Sequence, residues 1–225
     1  MKQHKHFNLL DFDLFSVLDS KLLDQLNSHV LTKQYKAGEI IFLEGDRIEN
    51  LILVAEGQVE IAKSSLNGRK LVLEIIEKGQ IINLVPLFLD NDPHNRAHAF
   101  ALSDVSIISF SRADFLLLIE NSLPFDITLM KMLAQRLCKL SEKSSDLGLM
   151  PVRSRLAKFF VEQANHIGKT NRFTQDEIAA HIGSVRDVVG RNLRELEEKG
   201  YLKRERNRII LLDKTSLEIL ASNLV

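Results

Sequence analysis

Near the C-terminus two arginines and an acid, Arg186, Asp187 and Arg191, lie within two helical turns of one another. Projected from one helix, such a set reads DNA: a guanidinium bonds bidentately to guanine O6 and N7, and a carboxylate accepts from cytosine N4. The surrounding segment, TQDEIAAHIGSVRDVVGRNLRELEEKGYL, supplies two helices to carry it. Thr174 and Glu177 have the spacing of a capping box, so a first helix starts there with Ile178, Ala179 and Ile182 inward. Gly183 ends that helix and permits the sharp turn joining two helices at a large angle. Ser184, with Asp187 three residues on, is expected to cap the second helix, which runs to Lys199 and stops at Gly200. Val188, Val189, Leu193 and Leu196 form its inward face, and Arg186, Asp187, Gly190, Arg191 and Arg194 point elsewhere. KRERNRIILL then places a basic turn before an apolar strand and is predicted to be a β-wing. Its Lys203, Arg204, Arg206 and Arg208 would approach phosphates, which fixes position without reading sequence. Thr174, Gln175, Ser184 and Arg194 complete the candidate phosphate contacts. The competing reading, a helical hairpin that binds protein, does not account for two capped helices, a glycine turn and a basic wing together.

The charge distribution agrees with a C-terminal reading head. Formal net charge is zero over 225 residues, but residues 1–150 carry 16 Lys and Arg against 20 Asp and Glu, and residues 151–225 carry 14 against 10. Only the latter part suits a polyanion. A hydrophobic fraction of 45% with 27% charged residues is ordinary for a folded protein. No run reaches the roughly 18 apolar residues of a membrane span. The opening MKQHKHFNLLDFDLF lacks the apolar core of a signal peptide, so the cytoplasm is the expected location and no membrane partner is expected. The single cysteine, Cys138, builds no intrachain disulfide and no cysteine metal site; it reads as a small apolar residue on a helix face, with a redox role as the alternative. No nucleophile–base–orienter set, metal-spaced cluster or phosphate-cradling glycine loop is evident, so an enzyme is not expected.

The elements that position the reading head precede it. Residues 7–29 read as one or two short helices with Leu18, Leu22, Leu23 and Leu26 at helical spacing. From about 30 to 110, short β-rich runs recur between glycines: EIIF, LILVAEG, VEIAKSS, KLVLEII and VSIISF. Asn67-Gly68 between two of them signals a hairpin in which both turn positions take positive φ. Many short strands at even spacing indicate a β-roll or sandwich, not a βαβ sheet. From residue 121 a helical period returns, with Pro124 suited to a first turn. Met130, Leu133, Leu137, Leu140 and Leu147 alternate in steps of three and four when Ser144 is counted. The series reads either as a parallel dimer seam or as a helix packed on its own β-domain. Gly148 and Pro151 mark a hinge, and a new helix begins at Pro151. The expected architecture is α+β: residues 1–120 a sensor β-roll (double-stranded, jelly-roll-like), 121–150 a dimerisation helix and hinge, and 151–225 a winged helix-turn-helix.

With these residues in place the chain resembles the Crp/Fnr superfamily of transcriptional regulators over nearly its whole length. YKAGEIIFLEGD, LILVAEGQVEI and LNGRKLVLEIIEKGQ look like the cyclic-nucleotide-binding roll, and PVRSRLAKFF with IGSVRDVVGRNLRELEEKGYL like the C-terminal domain of that family. The family reads the major groove with an Arg-Glu-x-x-x-Arg series, matched here by Arg186, Asp187 and Arg191 with the acid one methylene shorter. The resemblance implies a homodimer on double-stranded DNA with a palindromic site, an effector pocket in the roll and contact with RNA polymerase. The sensor departs from the pattern. Asn83 and Leu84 stand where nucleotide-binding members have Gly-Glu, and Arg96-Ala97 where they have Arg-Ser. A ribose hydroxyl facing Leu84 would lose its acceptor, at a cost of about 1–3 kcal/mol, so cyclic AMP is not the expected effector. Ile82, Asn83, Leu84, Arg96 and Ala97 mark the candidate pocket. It is either a filled core or a site for an apolar ligand or a haem, for which His94 and His98 would be the iron ligands, surface or capping roles being their alternatives. The readings that remain are a regulator controlled by a small-molecule effector, a constitutive regulator whose roll is only a scaffold, and a haem-based gas sensor.

Overall fold

Apolar alternation in the middle of the chain is realised as two four-stranded antiparallel sheets. The computed structural model describes residues 7–89, 93–165, 173–205 and 208–222. Helix α1 (Ser20–Asn27) precedes β1 (Leu31–Tyr35), β2 (Ile40–Phe42), β3 (Asn50–Glu56), β4 (Val59–Ser64), β5 (Lys70–Ile76) and β6 (Ile81–Ile82). Helix α2 (Leu84–Leu89), β7 (His98–Ala101) and β8 (Val105–Ser111) follow. One sheet has the order β1-β8-β3-β6, the other β2-β7-β4-β5. Helices α3 (Arg112–Asn121) and α4 (Leu123–Leu149) lead to a C-terminal set of α5 (Val152–Asn165), α6 (Gln175–Ile182), α7 (Arg186–Glu198), β9 (Leu202–Glu205), β10 (Arg208–Leu211) and α8 (Lys214–Ala221). The α+β architecture is the expected one. The sequence runs anticipate β2, β3, β4, β5 and β8; they do not signal β1, β7, the two-residue β6 or the short helices α2, α3 and α8.

Packing divides the chain into two units, Met1–Lys63 with Leu73–Cys138, and Ser64–Val72 with Lys139–Val225. In the first, the central strands send alternate side chains to two separate cores, as the period of two dictates. Leu51, Leu53 and Ala55 of β3 and Ile108 and Phe110 of β8 join α1, α3 and the start of α4 in one cluster. Val54 of β3 and Val105 and Ile107 of β8 meet Val59, Ile76, Ala99 and Ala101 in the other. The first cluster is tightened by aromatic edges, with Phe15 against Phe110 at 5.7 Å and Phe115 against Phe125 at 5.6 Å. Such pairs add about 0.5–1.5 kcal/mol each beyond area burial. Ser111 and Asp114 cap α3 reciprocally.

The hairpin between β4 and β5 corrects one expectation. Only Gly68 takes positive φ, at 79°, and Asn67 does not. The Ser65 carbonyl accepts from the Gly68 amide at 2.9 Å, and the Ser65 amide donates to the Arg69 carbonyl at 2.8 Å. This is a type I turn closed by a left-handed glycine, the three-residue loop that follows strand twist with one positive φ instead of two.

Helix α4 begins at Leu123, with Pro124 in its first turn where no amide is needed. Arg136 ties it to the roll: Nη2 and Nε donate to Glu74 Oε2 at 2.6 and 3.2 Å, and Nη1 to the Ile81 carbonyl at 2.8 Å. Leu133 packs against the first core. Leu123, Ile127, Met130, Leu137 and Leu140 remain exposed, at 41–69%. No helix among the described residues is long and apolar enough to cross a membrane.

Candidate nucleic-acid interface

The C-terminal unit is built around a core to which α5, α6, α7 and α8 all contribute. Leu156, Ala157 and Phe160 of α5, Ile178, Ala179 and Ile182 of α6, and Val189, Leu193 and Leu196 of α7 pack with Leu202 and Leu217. The capping box at α6 is present as expected: Thr174 Oγ1 accepts from the Glu177 amide, and Glu177 Oε2 accepts from the Thr174 amide at 2.7 Å. Gly183 then takes a left-handed conformation, φ 63° and ψ 50°, with its amide on the Ala179 carbonyl. Helix α7 stops at Lys199, and Gly200 (φ 74°) donates to the Glu197 carbonyl at 3.0 Å.

The expected second cap is not formed. Helix α7 starts at Arg186, and its cap position is Val185, which makes no side-chain bond. Ser184 lies one residue too early, and its amide returns to the Ala179 carbonyl at 2.9 Å to finish α6. Gly190 is a second correction: it is buried, not outward. A Cβ there would lie 3.0 Å from Gln175 Oε1, so the absent side chain makes room for Gln175 to lie across α7. Gln175 is therefore half-buried packing between the two helices. Val188 is also only half-buried, leaving Val189, Leu193 and Leu196 as the inward face.

Arg186, Asp187, Arg191 and Arg194 lie off that face. Asp187, Arg191 and Arg194 are exposed, and the Arg186 side chain is 67% exposed. Arg186 Nη1 lies 3.7 Å from Asp176 Oδ2 on the first turn of α6. Among the described residues neither Arg191 nor Arg194 has an ion-pair partner. The wing is a two-stranded ribbon with Arg208 opposite Glu205 and Ile209 opposite Arg204. Its described cations, Lys203, Arg204 and Arg208, lie beside the chain's own acids. Glu197 accepts from Arg204 Nε at 2.7 Å and from the Arg204 amide at 2.9 Å. Glu205 accepts from Arg208 Nε and Nη2, both at 2.8 Å, with Lys203 Nζ 3.6 Å away. The Arg204 amide, then its side chain, holds the Glu197 carboxyl below its usual range, and Arg208 does the same for Glu205. Arg206 lies outside the described residues. Sequence reasoning identifies the cations and misses these acids, because Glu197 lies seven residues back on another element; Asp176 is legible only as a charge.

Of the candidate sensor residues, Leu84 is buried in the first core, Ile82 in the second, and Ala97 is buried as well. Asn83 carries positive φ, 69°, at the join of β6 and α2, and Arg96 is exposed. His98 Nδ1 accepts from the Glu44 amide at 3.1 Å, and exposed His94 pairs with Arg47 in an isolated β-bridge. The His98 ring is thus held against the chain preceding it, whereas the bridge at His94 involves its backbone alone. Cys138 is exposed.

Two family models match the chain, the cyclic nucleotide-binding domain over residues 32–122 and the Crp-like helix-turn-helix domain over residues 154–220. The cAMP-activated global transcriptional regulator Vfr of Pseudomonas aeruginosa is 28% identical over 189 residues, 80% of this chain and 88% of that one. An anaerobic regulatory protein of Bacillus subtilis is 27% identical over 214 residues, 91% and 87% of the two chains. A solved Crp/Fnr-family structure from Eubacterium rectale shares the fold with a TM-score of 0.80, at 24% identity over 94% of this chain and 98% of its own. A CRP/FNR-family transcriptional regulator from Thermus thermophilus gives 0.72 at 26% identity, over 85% and 98%.

One histidine of the C-terminal unit is displaced well below its ordinary range. His181, in the last turn of α6, lies against Phe159 at 5.3 Å and Phe173 at 6.0 Å. Burial first, and then the nearby Lys143 and Lys70, push it from 6.5 down to about 4, against the opposing pull of Glu177. The unfolded chain therefore binds more protons between these two values, and stability rises with pH across that window. Unfolding free energy should fall, by up to about 1.4 kcal/mol per pH unit, as pH drops from 6.5 towards 4. His181→Phe should flatten that slope in urea titrations at a series of pH values; an unchanged slope would mean that His181 is not the group responsible.

Proposed function

We propose that this chain, which belongs to the Crp/Fnr family and is a DNA-binding transcriptional regulator, acts as a homodimer reading a two-fold symmetric promoter site through α7. The observation that carries this reading is the division of α7. Arg186, Asp187 and Arg191 stand off the core in its first two turns, while Val189, Leu193 and Leu196 are buried beneath them. A helix so divided enters the major groove with its N-terminal residues at the base edges. Arg191, unpaired among the described residues, takes guanine; Asp187 takes cytosine N4. Arg186 reads a base or neutralises Asp176 beside the backbone, and Arg194, Thr174, Ser184 and the wing cations hold phosphates. Because Glu197 and Glu205 already hold Arg204 and Arg208, the wing adds less to affinity than its count of basic residues suggests.

A single head reads few base pairs, and two heads about 34 Å apart read successive turns of one face. The exposed stripe on α4 supports the dimer. Leu123, Ile127, Met130 and Leu137 follow at steps of four, three and seven, with Ala134 exposed between the last two, and Leu140 lies beside them. Contiguous exposed apolar surface of this kind marks an interface. Leu133 and Leu147, which the sequence also offers for the seam, face this chain's own packing. RNA polymerase is the further partner that the family reading adds.

The effector, on this reading, is not cyclic AMP. The side chain that would meet the ribose is Leu84, 2% exposed and part of a hydrocarbon core, where an unpaired hydroxyl costs about 1–3 kcal/mol. The same packing supports a second reading, a constitutive regulator whose roll serves only as a scaffold.

Selection of duplexes from a random pool, followed by affinity measurement, tests these statements. Arg191→Ala should cost about 1–3 kcal/mol at one base pair per half-site and relax preference there; a uniform loss over all sequences would remove α7 as the reader. Leu137→Lys should give monomers by light scattering that bind the selected duplex poorly, and a variant still dimeric would rule out the α4 stripe. Adding cyclic AMP should leave the affinity unchanged, whereas a gain of about tenfold, near 1.4 kcal/mol, would overturn the exclusion of that nucleotide.

A further inference from the structure

Three side chains converge on the space beside the turn of the helix-turn-helix. A Cβ placed on Gly183 would run into Leu147 Cδ2 and come within 3.4 Å of both Leu71 Cδ1 and Arg155 Nη1. Arg155 Nη1 also donates to the Ile182 carbonyl at 2.7 Å and reaches the Gly183 carbonyl at 3.4 Å. These are the last acceptors of α6 and the negative end of its dipole. Lys158 Nζ bonds Asp146 Oδ2 at 2.5 Å, which joins the end of α4 to α5 beside Leu147. Leu71 belongs to the tip of the β4–β5 hairpin, residues 64–72, which packs with the C-terminal unit.

A glycine offers these neighbours only hydrogen, so the Leu147 side chain fills the space a Cβ would take, with Leu71 next to it. Gly183 itself has no side chain to move aside, and close-packed interiors transmit strain. Gly183 precedes the first residue of α7 by three positions. We propose that Leu71 and Leu147 are positioning residues for DNA reading: they clamp the Gly183 turn and set the pitch at which α7 presents Arg186, Asp187 and Arg191, with the hairpin tip as the point of input. The proposal rests on the DNA-binding reading and adds residues that touch no DNA.

Leu71→Ser is the first variant to examine, because Leu71 lies in none of the hydrophobic cores. In the full chain, amide exchange is measured over residues 178–190, where the Gly183 and Ser184 amides are held by Ala179, and the Val188 and Val189 amides by Val185. Binding to the duplex selected by the wild type is compared with binding to a scrambled duplex of equal length. Leu71→Ser should speed exchange at those amides and weaken the selected duplex by about tenfold, with the scrambled duplex nearly unaffected; Leu71→Ile should restore both, and Leu147→Ala should resemble Leu71→Ser. Unchanged exchange with unchanged discrimination in Leu71→Ser overturns the proposal, as does equal weakening of both duplexes. If the wild type selects no duplex, the DNA-binding reading fails, and the exchange arm still decides whether Leu71 holds the turn.

Discussion

A left-handed residue at Gly183 turns the chain between α6 and α7, and the C-terminal unit is arranged around keeping that turn. With φ at 63° and ψ at 50°, the backbone leaves α6 through a conformation that an L side chain adopts only with strain. Both helices then bury one face in the same core, Ile178 and Ile182 from one side and Val189 and Leu193 from the other. The opposite face of α7 is left in water with its arginines. A Cβ at Gly183 would meet the Leu147 side chain, so packing as well as torsion favours glycine at the turn. Gly190 serves the same geometry further along α7, letting Gln175 settle between the helices.

The reading face is less basic than its arginine count suggests, and the reason is local pairing. Asp176 and Glu197 each lie beside one of its cations, and Glu205 lies beside two. Exposed pairs of this kind add little stability, typically about 0–1 kcal/mol, but they orient guanidinium groups and reduce the charge available to phosphates. Non-specific affinity grows with the number of phosphates neutralised. On the proposed reading, a head that holds Arg204 and Arg208 in internal pairs and leaves Arg191 and Arg194 open shifts the balance from general attraction towards base contacts.

The interior of the roll at the join of β6 and α2 is hydrocarbon. Leu84 and Ile82 sit in two different cores on either side of Asn83, whose positive φ of 69° makes the bend between them. On the proposed reading, the hydrocarbon of Leu84 occupies the place where the resemblance to nucleotide-binding members would put a carboxylate. Glu74 instead supplies the acid that meets Arg136 of α4, so the attachment of the long helix to the roll is made by protein groups. A half-buried pair of this kind contributes geometry more dependably than stability.

Local signals are legible in the sequence wherever a short stretch decides its own conformation. Thr174 with Glu177, the glycines at 183 and 200, Pro124 and the period-two strands all act through near neighbours, and each predicts its element. The division of α7 is legible too, because the helix has one clear apolar stripe and the charged residues off it face out. The cap of α7 is misread because Ser184 and Asp187 have the right spacing, yet closing α6 through the Ser184 amide uses that residue and leaves Val185 at the boundary. Only the tertiary structure decided which leucines of α4 face inward. A helix of 3.6 residues per turn offers two adjacent stripes to steps of three and four, and the side on which the roll's first core lies chooses between Leu133 and Leu137. It also decided which acids pair with the wing and that Leu71 reaches Gly183. Those contacts join residues on separate elements, and no local preference encodes the partner at the other end.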